Sequence, residues 1–162
     1  EVPWHQDGHC WPFRPLATCT LWLAIDKVDR ENGCMRVIAG SHAARTLFRH
    51  HGDKNPNLAL YEVLDADQFD AQQAVNIELE PGQFSLHDIY LAHGSAPNRS
   101  GRRRAGLAIR YMPATSLFDR SGGSNGDGDP RYANFTERPI WLARGSDRTD
   151  CHGGNDFSIG HA

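Results

Sequence analysis

Short segments of alternating polarity, separated by glycine and proline turns, limit how this chain can fold more than any other feature. From Thr18 to Asp26, cysteine, leucine and isoleucine occupy one face, while threonine, tryptophan and alanine occupy the other. Arg104 to Tyr111 alternates in the same way. A period of two is that of a β-strand, and no long amphipathic helical pattern occurs. The sequence therefore predicts a mainly β protein, a sandwich or a barrel.

The remaining strands are predicted from shorter runs. Cys34 to Ile38 follows the Glu31-Asn32-Gly33 turn and is expected to pair with the strand from Thr18 to Asp26. Between Ala39 and Gln73 the chain is irregular and polar, with a weakly helical piece near Asp65–Gln72, and long connections of this kind are usually lids or binding loops. Further strands are expected at Val75–Leu79, Gln83–His87 and Tyr90–His93.

Length and net charge limit the classes of protein to which this chain can belong. A chain of 162 residues fits one domain, which we expect to have its core at residues 3–112 and a loop-rich extension at residues 113–162. A net charge of -3 gives no electrostatic reason to expect nucleic acid or a membrane surface. No apolar run approaches the roughly 20 residues of a membrane helix, and no signal peptide is seen. Four cysteines without zinc-site spacing favour reduced thiols and a cytoplasmic location.

Two histidines and one aspartate form the candidate metal site. His5 and Asp7, in Trp4-His5-Gln6-Asp7, are two residues apart and would share one face of a strand. His93, followed by Gly94-Ser95, is the candidate third ligand. Two imidazoles and one carboxylate, with the other positions open, are the ligands of non-haem Fe(II) oxygenases. An HxD pair alone is weak evidence, and the downstream histidine makes the hypothesis specific.

Arg104 is the candidate anchor for an acidic co-substrate. Its guanidinium could grip the far carboxylate of a keto-acid that chelates the metal. Gly106 and Ala108 share its strand face, and their small side chains would leave room for a ligand. Arg102 or Arg103, by contrast, fits a solvated basic run on the surface.

The other histidines are expected to lie outside the metal-ligand set, in different surroundings. His42, His50 and His51 lie in the irregular segment and are expected to be exposed to solvent. His87 is near His93 in sequence and is expected to support the metal ligands. His9 either faces the substrate or caps a loop.

Several of these motifs together resemble the phytanoyl-CoA dioxygenase family of Fe(II)/2-oxoglutarate oxygenases. The strongest match is His93-Gly94-Ser95 with Asn98, Ser100 and Arg104 at the family's offsets. The other matching pieces are Trp4-His5-Gln6-Asp7, Pro12-Phe13-Arg14-Pro15, Asn32-Gly33-Cys34 and Gly40-Ser41-His42. The similarity runs from about residue 3 to residue 112 and is loose after Pro113.

The resemblance implies a double-stranded β-helix, that is, a jelly-roll barrel. It implies Fe(II) on His5, Asp7 and His93, and 2-oxoglutarate held by Arg104 with help from Ser95. Gln6 and Trp22 occupy positions that often border the co-substrate in such proteins. The family's N-terminal helices and strands, which buttress the barrel, have no counterpart in this sequence, so its apolar strand faces would need a cover. The first residues already look like the interior of a fold, and we expect a fragment.

The intact carboxylate of Asp7 is typical of the hydroxylating members of the family, because halogenating relatives carry a small residue there. Trp11 and Phe13, with the segment from His42 to Gln73, are expected to shape the substrate pocket, to which His9 could contribute. The expected reaction uses O2, hydroxylates a small organic substrate and releases succinate and CO2. One alternative is a jelly-roll module or inactive fragment that binds metal and 2-oxoglutarate without turnover. A zinc hydrolase with the same three ligands is another, but it gives Arg104 no task.

Overall fold

Two antiparallel sheets carry the longest strands of the fold. The computed structural model describes residues 1–121, 129–131, 135–149 and 154–158. Its strands are β1 (Val2–His5), β2 (Phe13–Arg14), β3 (Cys19–Ala24), β4 (Met35–Val37), β5 (His50–Gly52), β6 (Glu62–Leu64), β7 (Val75–Ile77), β8 (Phe84–Asp88), β9 (His93–Ser95), β10 (Gly106–Tyr111) and β11 (Leu117–Phe118). One sheet has the order β1-β9-β4-β7 and the other the order β10-β3-β8, while β2 pairs with β11 and β5 with β6.

Helical structure is limited to short turns. A four-residue helix, α1 (Asp7–Cys10), directly follows β1, and two 3₁₀ turns cover Ala66–Gln68 and Ala71–Gln73. Among the residues that the structure describes, no helix is long and apolar enough to cross a bilayer. Strands therefore position most side chains of the candidate site, while Asp7 comes from α1.

The alternation predicted for β3 and β10 is confirmed. Trp22 pairs with Ala108 in register, on the same sheet face as Thr20 and Arg110, whose side chains reach Asp7. The opposite face of this three-stranded sheet is apolar and open to solvent. Its exposed members include Leu86 at 59%, Phe84, Leu107, Ile109 and Tyr111.

Two clusters of buried apolar residues lie within the fold. An aromatic cluster unites Phe13, Ile89, Phe118 and Phe135, so β2, β11 and the chain after residue 134 pack together. A smaller cluster of Ala24, Val28 and Cys34 lies where β3 leads toward β4. Cys10, Cys19 and Cys34 are free thiols, as expected, while Cys151 lies outside the described residues.

The expected hairpin between β3 and β4 is wrong. β4 pairs with β7 and β9 in the other sheet, and β3 pairs with β10 and β8. The connection carries the chain across the fold: Val28 forms an isolated bridge with Leu79, and Asn32 then closes a turn back to Lys27 and Asp29. A turn sequence fixes where the chain reverses but leaves open which strand the next segment joins.

Two further segments differ from the sequence prediction. The stretch from Ala39 to Gln73 contains the hairpin β5–β6, and its weakly helical piece becomes the two 3₁₀ turns. The strand expected at Tyr90–His93 begins only at His93, because Leu91 donates its backbone N–H to Asp88 and closes a turn there.

Asn32 supplies a test of the turn that carries the chain between the sheets. Its side chain is fully buried, accepts the Asp29 N–H at 2.8 Å and donates to the Lys27 carbonyl at 2.8 Å. Asn32→Ala leaves both backbone groups without partners, so we expect a loss of about 2–3 kcal/mol in the free energy of unfolding. Urea denaturation measures it, with the exposed Asn57→Ala as a control that changes stability by less than about 0.5 kcal/mol. Equal values for the two variants would contradict the assignment.

Candidate metal centre

Strand pairing brings the first and third predicted ligands together. His5, the last residue of β1, pairs in register with His93, the first residue of β9, and their ring centroids lie 4.1 Å apart. Gly94 permits the close approach of the two strands, because a side chain there would meet the Val2 carbonyl oxygen at 3.1 Å and Pro3 backbone atoms at 3.2 Å. The separation of 88 positions in sequence is thus closed by one strand pair.

His5 and Asp7 do not share a strand, contrary to the prediction. β1 ends at His5 and Asp7 begins α1, whose turn closes when the Trp11 N–H donates to the Asp7 carbonyl at 2.9 Å. Gln6 between them is nonetheless extended, with φ -119° and ψ 127°, and so keeps the two side chains on the same side. Their convergence is as predicted, with one donor atom each of His5, Asp7 and His93 within 4.8 Å of the others.

Backbone carbonyls fix the orientation of both imidazoles. His5 Nδ1 lies 2.8 Å from the Pro3 carbonyl oxygen, and His93 Nδ1 lies 2.8 Å from that of Leu91. A carbonyl oxygen only accepts hydrogen bonds, so each Nδ1 carries the proton and each Nε2 presents its lone pair. This is the arrangement in which a metal-binding histidine is held by a neighbouring group.

The electrostatic state of the three side chains also suits a cation. Burial lowers the pKa of His5, and burial with the nearby His5 lowers the pKa of His93 to about 3, so both rings are neutral at neutral pH. Burial alone would raise the pKa of Asp7. The His87 ring and the Arg110 guanidinium outweigh that effect and hold it well below its ordinary value, so the carboxylate is ionised.

Three side chains of the β10-β3-β8 sheet hold the Asp7 carboxylate in place. Thr20 donates its hydroxyl to Oδ2 at 3.2 Å, and an Arg110 Nη2 lies 3.3 Å from Oδ1. His87 Nε2 lies 3.8 Å from Oδ2, and its ring centroid is 4.7 Å from that of His93. His87 is buried beside the ligands, as expected, whereas the parts played by Thr20 and Arg110 were not predicted. The period-two faces of their strands were the available signal.

The donors fit a first-row divalent metal. Two unprotonated imidazole nitrogens and one ionised carboxylate, all buried, are the protein ligands of a mononuclear Fe(II) site with open positions. A purely structural role is a poor account of these residues, because two imidazole nitrogens and a carboxylate oxygen lie within 4.8 Å of one another, and the neighbouring Arg110 pairs only with the carboxylate.

Arg104 stands apart from the two arginines that precede it. Arg102 forms ion pairs with Asp29 and Glu31, and Arg103 with Asp26, all at the protein surface. Arg104 is half-buried, forms no ion pair among the residues that the structure describes, and has a buried Nε without a hydrogen-bond partner. Burial lowers the pKa of its guanidinium, although the group stays charged. Its guanidinium is therefore available to bind an anion.

Trp22 occupies the space on the strand face beside Arg104 that was expected to be open. The Arg104 Cζ lies 5.2 Å from the Trp22 ring centroid, so the indole stacks on the guanidinium. A Cβ at position 106 would come within 2.1 Å of that indole. The prediction that Gly106 leaves room for a ligand is therefore wrong, since the absent side chain makes room for Trp22.

Gln6 and Ser95 have different surroundings. The fully buried Gln6 amide donates to the carbonyls of Thr46 and Tyr90 and accepts the Phe48 N–H, so it ties α1 to the irregular segment. Its predicted contact with the co-substrate stays a prediction. Ser95 is buried on the same face of β9 as His93 and pairs in register with Met35, and its role in holding 2-oxoglutarate also stays a prediction.

The histidines of the irregular segment divide in two. His42 and His51 are exposed, as predicted. The expectation is wrong for His50, which is half-buried, accepts the Gln6 N–H at 3.1 Å and stacks on His9 with ring centroids 4.2 Å apart. His9 Nε2 lies 3.3 Å from Glu62. The strand β5 places His50 against α1, and no local sequence pattern predicts this contact.

Beside the metal centre lies a cleft of about 600 Å³. Trp11 and Phe13 line it, together with the end of β10 and residues 138–144, and their contact with a substrate stays a prediction. The segment from His42 to Gln73, expected to shape a pocket, does not line this cleft.

Two sheets carrying two histidines and one carboxylate at their centre define a mononuclear non-haem metal protein. The model of the phytanoyl-CoA dioxygenase family matches residues 1–106, and the chain belongs to that family. It is 34% identical over 113 residues to a probable phytanoyl-CoA dioxygenase of Caenorhabditis elegans, a match that spans 67% of this chain and 35% of that protein.

Solved structures confirm the jelly-roll fold. The non-haem monooxygenase ThoJ, without metal, superposes with a TM-score of 0.60 and 29% identity, covering 71% of this chain and 41% of that one. EvdO2 from Micromonospora carbonacea var. aurantiaca, complexed with 2-oxoglutarate, superposes with a TM-score of 0.57 and 26% identity, covering 67% and 44%. The chain thus spans less than half the length of these three relatives.

His50 gives the metal-free protein a pH dependence that can be checked. Burial lowers its pKa to about 4, against about 6.5 in an unfolded chain. Between these values the unfolded state binds a proton that the native state does not, so stability falls as pH falls from about 6.5 to about 4. His50→Gln should reduce that fall, by at most about 2 kcal/mol because the ring is partly exposed.

Urea unfolding of protein treated with a chelator, between pH 4 and pH 8, measures both slopes. The difference between the two proteins at pH 8 reports the lost contacts alone, because histidine is neutral there. Parallel curves over the whole range would show that His50 does not contribute.

Proposed function

We propose that this protein is an Fe(II)- and 2-oxoglutarate-dependent dioxygenase that hydroxylates a small organic substrate. The observation that carries the proposal is the convergence of His5, Asp7 and His93 within 4.8 Å, with each imidazole turned so that Nε2 is free. Membership of the phytanoyl-CoA dioxygenase family and the likeness to a 2-oxoglutarate complex support the co-substrate.

In this proposal, Arg104 receives the far carboxylate of 2-oxoglutarate. It is the half-buried arginine of the 102–104 run, it lacks an ion pair among the described residues, and Trp22 restricts its guanidinium from one side. A planar fork of N–H donors matches a carboxylate bidentately. Ser95, buried two residues after His93 on the same strand, is proposed to donate a hydrogen bond to the same molecule.

The chain's own residues would prepare the chemistry by position and charge. Bound Fe(II) with 2-oxoglutarate and O2 supplies the oxidising power, and the protein orients the reactants. His5 and His93 would hold the cation from the β1–β9 side. Asp7 balances its charge, and Thr20 and Arg110 fix the carboxylate. Burial of all three ligands keeps bulk water from the centre.

Hydroxylation is proposed over halogenation because the carboxylate ligand is present. Asp7 fills the third protein position, so no chloride is needed to complete the ligand set. The structural relative ThoJ is a non-haem monooxygenase, which supports this choice.

Two other functions make different predictions. A module that binds metal and 2-oxoglutarate without turnover is favoured by one observation, the open apolar face of the β10-β3-β8 sheet, which an active assembly would cover. A zinc hydrolase would use the same three ligands but would leave Arg104 without a partner. Oxygen dependence and succinate release separate these functions.

Succinate release tests the reaction. With anaerobically added Fe(II), then 2-oxoglutarate and air, the protein is expected to release succinate, and Asp7→Ala and His93→Ala are each expected to lower the rate by at least about 100-fold because a ligand is lost. Chromatographic quantification of succinate with oxygen uptake in the same sample measures it. A folded, iron-loaded protein that never consumes 2-oxoglutarate contradicts the proposal.

Arg104 is tested by a matched pair of neighbouring arginines. Arg104→Gln removes the proposed partner of the co-substrate, so the KM for 2-oxoglutarate should rise by about 10-fold to 100-fold. Arg103→Gln removes the same charge at the surface and should leave KM unchanged. Equal effects of the two substitutions would reject Arg104 as the anchor.

A further inference from the structure

We propose that the cleft beside the metal centre binds an apolar organic acid, whose anionic group is received by Arg110 and Arg138 against Trp11. The inference deepens the proposed function, because it assumes that the molecule in the cleft is the one oxidised at the metal. It assigns a substrate class and two recognition residues.

The cleft has the size and lining of a small-molecule site. Its volume of about 600 Å³ lies in the range of ligand pockets, which is roughly 300–1,000 Å³. Its walls are mainly apolar and come from the end of β10 on one side and residues 138–144 on the other, with Trp11 and Phe13 between them. An apolar body of modest size would therefore leave water on entering it.

Arg110 joins the cleft to the metal centre. One of its terminal nitrogens lies 3.3 Å from Asp7 Oδ1, and the residue also lines the cleft. Its Nε is buried and has no hydrogen-bond partner. A buried donor without an acceptor is costly, and an entering anion would satisfy it. A molecule held by this guanidinium would lie one side chain away from a metal ligand.

Trp11 holds two guanidinium groups at the cleft. The Arg110 Cζ lies 4.3 Å from the Trp11 ring centroid and the Arg138 Cζ lies 5.3 Å from it. Stacking on an indole uses the flat face of a guanidinium and leaves its N–H edge free for an oxyanion. The Trp11 backbone N–H donates to the Asp7 carbonyl at 2.9 Å, and the indole packs on Phe135 with ring centroids 4.7 Å apart.

The charge balance of the cleft favours an anion. Arg110, Arg138 and Arg144 line it, together with one acid, Asp147. Arg110 already pairs with Asp7, so the positive charge in excess of Asp147 comes from Arg138 and Arg144. Asp147 accepts the backbone N–H groups of Thr149 and Asn155, so its oxygens are already engaged. Neither Arg138 nor Arg144 forms an ion pair within the described part of the chain. The apolar lining and the surplus of positive charge together select a molecule with an apolar body and an acidic group.

Two probes of equal size and different charge test the inference. 4-Phenylbutyrate and 4-phenyl-1-butanol are titrated calorimetrically into the full chain loaded with Ni(II) and saturating 2-oxoglutarate, so that Arg104 is occupied and no turnover occurs. We expect the acid to bind at least about tenfold more tightly than the alcohol. Arg138→Gln should remove most of that preference and leave the alcohol unaffected.

Arg30→Gln is the matched control, since it removes one exposed arginine elsewhere and should change neither affinity. Circular dichroism checks that Arg138→Gln, at an exposed position, keeps the fold. Equal affinity of the two probes, failure of both to bind, or an Arg138→Gln variant with the full preference would overturn the proposal. If the protein prefers the acid but releases no succinate, the cleft assignment stands and the proposed oxygenase function fails. If it releases succinate but shows no preference for the acid, the oxygenase function stands and the cleft assignment fails.

Discussion

The pairing of β1 with β9 is the constraint on which the rest of the site depends. It sets His5 opposite His93, and the carbonyls of Pro3 and Leu91, within the same two stretches of chain, turn both rings so that their Nε2 atoms face inward. Backbone acceptors do not change with solvent or charge, so this orientation is as rigid as the strands themselves. The metal site is consequently built mainly by main-chain geometry, with Asp7 added by the turn that follows.

Asp7 shows how the two sheets cooperate. It stems from the β1 side, but Thr20, His87 and Arg110, which hold its carboxylate, all come from the β10-β3-β8 sheet. A buried carboxylate is unfavourable unless donors or cations surround it. Its ionisation therefore depends on the packing of the second sheet against the first, which couples the fold to the readiness of the site for a cation.

The sequence predicted the convergence of His5, Asp7 and His93, which local strand patterns were enough to suggest. Alternation identified β3 and β10, and with them the inward position of Arg104, while the spacing of His5 and Asp7 survived the end of the strand because Gln6 remained extended. Local patterns could not predict which sheet a strand joins. The turn at Asn32 correctly indicated that the chain reverses, but β4 pairs with β7 and β9, which lie far along the sequence. The roles of His50 and of Gly106 could not be predicted for the same reason, since each is defined by a neighbour distant in sequence.

The most direct measurement is anomalous diffraction at the iron absorption edge from crystals soaked anaerobically with Fe(II). The account predicts a single strong site in contact with His5 Nε2, His93 Nε2 and the Asp7 carboxylate. It would be contradicted by iron bound elsewhere, or by iron on His5 and Asp7 with the His93 ring turned away.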